Sequence, residues 1–131
     1  MIKVVIDTNV FISSKLSPMG SPAFIMKLVA DDELEFYYNR EILEEYERVL
    51  SYKKLKISVV EQKNAVDTIK SIGIFVIPVR SNVPFIDETD RIFYDTAKVA
   101  GAILITGNIK HYPEENFIMS PAHFWGIWNK K

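Results

Sequence analysis

Short apolar runs alternate along this chain with longer stretches in which apolar residues recur every three or four positions. Residues 2–6 form a largely β-branched run that reads as a buried strand. Pro22 stands where a first-turn proline starts a helix, and Phe24, Ile25, Leu28 and Val29 carry that helix forward. Residues 34–38 read as a second strand, and 40–50 as a helix with Asn39 as its N-cap. A further helix is expected over 59–72, closed by Gly73. A strand follows over 74–79, where Pro78 marks the strand's end or a sheet edge. A helix from about 90 to 100 stops at Gly101 and leads into a buried strand over 102–106. A short strand near 117–119 and a last helical turn around 121–128 finish the pattern.

Strands alternating with helices predict a mainly parallel sheet with right-handed crossovers and helices on both faces. Such sheets place ligands outside the carboxyl ends of their strands. No repeat or Pro/Gly/Ser-rich linker divides the 131 residues, so one domain over 1–131 is expected. A chain of this length buries roughly two-thirds of its extended surface, enough for one core. With 48% apolar and 25% charged residues, extensive disorder is not expected. The absence of cysteine rules out a disulfide scaffold or a thiolate metal site and is compatible with the cytoplasm. No apolar run approaches the ~20 residues that span a bilayer. Asp7 interrupts the opening apolar stretch, so it does not read as a signal peptide. The net charge of −1 gives a polyanion no overall attraction. Nucleic acid would need bound cations or local basic groups, of which Lys53, Lys54 and Lys56 form the clearest cluster.

Several polar groups stand where the carboxyl-edge rule directs attention. Asp7 directly follows the first strand, with Thr8 and Asn9 at the same tip; a helix N-cap or turn aspartate is the competing reading. In the 40–50 helix, a rotation of ~100° per residue puts Ile42, Leu43, Tyr46, Val49 and Leu50 on one stripe. Glu41 and Glu44 point away from that stripe. Glu45 lies on its margin, near the core yet open to a cleft, and Glu47 occupies the opposite margin. Asp87, Glu88 and Asp90 open the next helix, where the helix dipole also favours acids. Asp90 shares its side with Phe93 and Ala97, whereas Asp95 is expected on a more exposed side, as a solvated aspartate. Thr106, Gly107 and Asn108 end the 102–106 strand; Gly107 would permit a tight turn, and Asn108 would offer a carbonyl oxygen or make that turn. Hard cations such as Mg²⁺ and Mn²⁺ take oxygen ligands of this kind, and a cation relieves the repulsion among clustered carboxylates.

Four segments, in order, resemble PIN domains, in particular the PIN-family toxin components of toxin–antitoxin pairs. They are Val5-Ile6-Asp7-Thr8-Asn9-Val10-Phe11, the stretch from Ile42 to Leu50, the stretch from Asp87 to Ala97, and Ala102 through Asn108. The resemblance implies a three-layer α/β/α sandwich around a mainly parallel sheet of about five strands. It also implies a Mg²⁺- or Mn²⁺-dependent ribonuclease, with RNA as substrate, a cognate antitoxin as possible partner, and a homodimer. By matching position, the implied metal ligands are Asp7, Glu45 and Asp90, with Asn108 at the fourth site and Thr8 and Thr106 at the hydroxyl positions. The family's fourth acid is usually aspartate; Asn108 removes one charge, which weakens the case for a second metal, and Asp95 is the residue that would compensate.

The implied chemistry is phosphodiester hydrolysis. Bound metal would polarise a phosphate oxygen and lower the pKa of a bound water. His111 lies just past the acidic rim, either touching phosphate or exposed in a loop. A haloacid-dehalogenase-type phosphotransferase needs an aspartate where Asn9 stands, and no residue pattern matches a receiver domain. A scaffold that binds RNA or a partner without cutting is the alternative that Asn108 raises. Phe124, Trp125 and Trp128 make the C-terminal segment very apolar, which fits either self-association or packing back onto the core.

Overall fold

A computed structural model describes residues 1–130. Its centre is a five-stranded, all-parallel sheet of β1 (Lys3–Ile6), β2 (Glu35–Tyr38), β3 (Ile74–Phe75), β4 (Ile103–Ile105) and β5 (Ile118–Met119), in the order β3-β2-β1-β4-β5. Helices α1 (Thr8–Leu16), α2 (Ser21–Ala30), α3 (Arg40–Leu50), α4 (Val59–Ile72), α5 (Arg91–Ala100) and α6 (Pro121–Trp128) complete the α/β/α sandwich. The chain walks outward from β1 to β3, then crosses back to lay β4 on the other side of β1. That reversal opens a crevice between the carboxyl ends of β1 and β4.

The strands form where the β-branched runs predict them, and Val4, Val5, Ile6, Leu104 and Ile105 are fully buried. Helix α3 begins and ends at the expected residues. Its cap, Asn39, is itself buried: Oδ1 accepts from the Ile42 N–H at 3.1 Å and Nδ2 donates to Thr96 Oγ1 at 2.8 Å. One side chain thus starts α3 and ties it to α5. Gly101 ends α5 in the left-handed region, at φ +64°, where a glycine avoids the Cβ penalty.

The structure departs from the pattern in three places. Helix α1 is not announced, because Val10, Phe11 and Ile12 are buried in succession and Ser13 and Ser14 follow; its start is set by Asp7. The strand expected over 74–79 stops at Phe75. Its single neighbour, β2, ends at Tyr38, and the Val76 N–H bond to the Tyr38 carbonyl, 3.0 Å, is the last the pair makes. Residues 76–87 then run as an irregular strap over α5. Asp95 is buried rather than solvated, at 4% exposure. The strap supplies the cover: the Ser81 N–H donates to Asp95 Oδ2 at 3.1 Å, and Arg91 donates to the Ser81 carbonyl at 2.8 Å. The C-terminal aromatics pack back on the protein, one of the two arrangements their apolar character allowed. Phe124 is buried against Trp128, and Trp125 meets Phe24 of α2. Their apolar character therefore gives no independent argument for self-association.

Candidate active site

The floor of the crevice is built by strand register. Ile6 pairs with Ile105, and the Asp7 N–H bonds the Ile105 carbonyl at 2.9 Å, so the residues just beyond the two strands come side by side. Thr106 Oγ1 donates to Asp7 Oδ2 at 2.7 Å, and Tyr112 donates its hydroxyl to the same oxygen at 2.9 Å. The other oxygen, Oδ1, accepts the Thr8 N–H at 2.7 Å, which makes Asp7 the N-cap of α1. A carboxylate has about four acceptor positions. Oδ2 has both of its own filled by hydroxyls, while Oδ1 retains one. Burial raises the Asp7 carboxyl above the usual range, and the bonds from Thr106, Tyr112 and Thr8 oppose that rise.

Asp90 closes the last turn before α5. Its carboxyl is pushed up to about 6, first by burial and then by the charges of Asp7 and Asp87, with a smaller push from Glu45. His111 acts the other way, its Nδ1 lying 3.6 Å from Asp90 Oδ2. Among the described residues, Asp90 Oδ2 and Thr8 Oγ1 are buried without a hydrogen-bond partner. Asp87 faces the same region but is occupied as a cap: its Oδ1 accepts from the Thr89 N–H and hydroxyl at 3.0 and 2.7 Å. Those two bonds lower its carboxyl below the usual range.

Glu45 lies on the margin of α3, as the helical geometry predicts, with 20% of its side chain exposed. Its Oε2 is held by Arg48 Nη2 at 2.8 Å. It also lines a cavity of about 450 Å³ between α3 and the strap, together with Glu41, Glu44, Arg80, Glu88 and Asp95. Asn108 is exposed. Its N–H donates to Thr106 Oγ1 at 3.0 Å, but its side chain caps nothing. Asn108 therefore touches the floor through its backbone. Gly107 is not in the left-handed region, so the turn does not require glycine; its N–H donates to Asn9 Oδ1 at 3.2 Å.

The structure thus brings Asp7, Glu45, Asp87 and His111 around Asp90. Asp95 is instead engaged with the strap. Tyr112 was missed by sequence reasoning, because a tyrosine six residues past a strand carries no local mark of where its hydroxyl will point. Arg48 was missed because a solvent-side arginine on a helix is commonplace. Tyr46 was placed on the core stripe, but its hydroxyl bond to the Ile6 carbonyl, directly behind Asp7, was not foreseen.

An oxygen-only donor set with an orphaned buried carboxylate oxygen fits a hard divalent cation. Among the described residues, no three acids or imidazoles stand close enough to enclose one ion as they are placed. A family model of the PIN domain matches residues 3–110, which include Asp7, Glu45, Asp90 and Asn108. The chain belongs to the PIN-domain family. It is also 32% identical, over 110 residues, to an uncharacterized protein of Methanocaldococcus jannaschii, covering 82% of this chain and 71% of that one. PIN domains are in general nucleases, a function that implies RNA binding, and they typically use divalent metal. No helix among the described residues is long and apolar enough to cross a membrane.

Proposed function

We propose that this PIN protein is a Mg²⁺- or Mn²⁺-dependent endoribonuclease, formed as one domain over 1–131. The observation that carries the reading is Asp90: a carboxyl raised to about 6 by burial and by neighbouring acids, with a buried oxygen that lacks a hydrogen-bond partner. Holding such groups together in the metal-free protein is unfavourable, and a cation relieves it.

Asp7 and Asp90 would hold the cation, with Glu45 completing the set and Asn108 offering its side-chain oxygen at the rim. A bound cation supplies Lewis acidity and a more acidic water at neutral pH. The chain's own residues do the rest. Thr106, Tyr112 and the Thr8 N–H fix the Asp7 carboxylate before metal arrives, leaving one acceptor position on Oδ1. Thr8 Oγ1 is buried without a hydrogen-bond partner, and His111 Nδ1 lies 3.6 Å from Asp90 Oδ2.

The role as toxin of a type II toxin–antitoxin pair, the cytoplasmic setting and the homodimer are proposed on the family resemblance alone. A second reading, an RNA- or partner-binding scaffold that does not cut, is favoured by Asn108 in place of an acid. Incubation with mixed RNA in Mn²⁺ and in chelator separates the two. The nuclease reading expects cleavage in Mn²⁺ that chelator abolishes, and the scaffold reading expects binding without cleavage. Induced expression should arrest growth, with rescue by a neighbouring antitoxin gene; unaffected growth would remove the toxin role. Sedimentation at micromolar concentration tests the dimer, and a monomeric mass would exclude it.

A further inference from the structure

We propose that Arg48 is an exchangeable counter-ion. It holds Glu45 while the site is metal-free and passes to a phosphate of single-stranded RNA when Glu45 turns to the cation. The inference rests on the nuclease reading above and adds the side from which the strand enters.

Four observations support it. Arg48 Nη2 lies 2.8 Å from Glu45 Oε2, so the carboxylate that completes the acid set is engaged elsewhere. Among the described residues, no three acids are placed to enclose an ion while this pair holds. The Arg48 side chain is 51% exposed, and a guanidinium–carboxylate pair that open to solvent contributes little, so exchanging its partner costs little. Its planar fork suits a phosphate as well as it suits a carboxylate. Finally, Arg48 opens onto a strip that fits a nucleic-acid strand. Its Nη1 donates to the hydroxyl of Tyr52, a ring 39% exposed just past the end of α3, and the Lys54 ammonium lies 6.0 Å from that ring's centroid. Lys53 and Lys54 form the short helical turn that follows. An exposed aromatic between cations is the arrangement on which single-stranded bases stack while their phosphates are neutralised. It also answers the electrostatic difficulty of the site, where the acids that attract metal repel RNA.

The exchange predicts opposite effects from one substitution. In Arg48→Gln, Mn²⁺ titrated calorimetrically without RNA should bind about 2- to 5-fold tighter, because Glu45 loses its competing cation. A fluorescent phosphorothioate-linked single strand, followed by anisotropy in Mn²⁺, should bind about 10-fold more weakly. Its log–log salt slope should shrink by about one phosphate contact, roughly 0.7. A purely structural role would weaken both. Parallel changes, no change in either, or tighter metal with unchanged RNA affinity would each overturn the proposal. Arg48→Gln titrations of opposite sign in a parent that binds but never cuts would retain the exchange and reject the nuclease reading. Parallel titrations in a cutting parent would reject the exchange alone.

Discussion

The two ends of the candidate site are built differently. At the floor, Asp7 is 6% exposed and receives three hydrogen bonds, one from the Thr8 N–H that it caps and two from Thr106 and Tyr112, which strand register and core packing bring to it. At the mouth, Glu45 makes one ion pair with a half-exposed arginine on its own helix. A carboxylate held from three directions keeps its geometry whatever binds. One held by a single solvent-facing partner can change partners. The candidate site therefore joins a rigidly held carboxylate to an adjustable one, beside Asp90, whose buried oxygen lacks a hydrogen-bond partner.

The largest expected effect comes from the floor. Asp7→Asn should remove the cation's transition-state contribution of several kcal/mol, about 10²–10³-fold in cleavage rate, while leaving circular dichroism unchanged. Near-parental rates would dismiss Asp7 as a ligand and would put the mouth in charge of the chemistry.

Next in size is Tyr112→Phe, which deletes one donor to the buried carboxylate and little else. Groups that orient a metal ligand are worth about 10–100-fold in metal affinity. Calorimetric Mn²⁺ affinity should fall within that range, with kcat/KM following. An unchanged affinity would show that Thr106 and Thr8 alone fix Asp7.

A smaller effect is expected in the stability of the metal-free protein. Because the Asp90 carboxyl is raised to about 6 in the folded state, from a usual 3.8, the folded protein takes up this proton before the unfolded chain does. Its contribution to stability therefore grows as pH falls through 6 toward 3.8. In chelator, lowering the pH from 7.5 to 5 should raise Tm relative to Asp90→Asn. At pH 7 the asparagine variant should itself melt about 2–6 °C higher than the parent. A variant that melts lower would show that Asp90 is satisfied in the metal-free fold.

The smallest shift is expected at the rim. Asn108→Asp adds a charge to an exposed side chain. Mn²⁺ binding should tighten by about 2- to 5-fold, since hard cations favour more ligand charge, with a modest rise in activity. Tm in chelator should fall and should gain more from added metal than the parent's does. Identical titrations would leave Asn108 as a turn residue, and cleavage appearing in an otherwise silent protein would establish the scaffold reading of the natural sequence.

Much of this site was legible locally. The β-branched runs located Asp7 and Thr106 at strand ends, and the α3 stripe singled out Glu45 among four glutamates. What failed depended on partners distant in sequence. Asp95 belongs, by helical angle alone, on an outer face, but the strap that covers it comes from residues 76–87, whose path no periodicity encodes. Tyr112 reaches Asp7 across 105 positions, and only the β1–β4 register brings the two together.

The sequence by itself determined the alternation of elements, the parallel sheet and the acids at its carboxyl edge, because side-chain period and strand-end position are local properties. The tertiary structure alone decided which acids are bonded and which are free. Hydrogen-bond satisfaction, burial and the mutual repulsion that lifts Asp90 depend on distances between separate elements, which are fixed only when strand order and register are fixed.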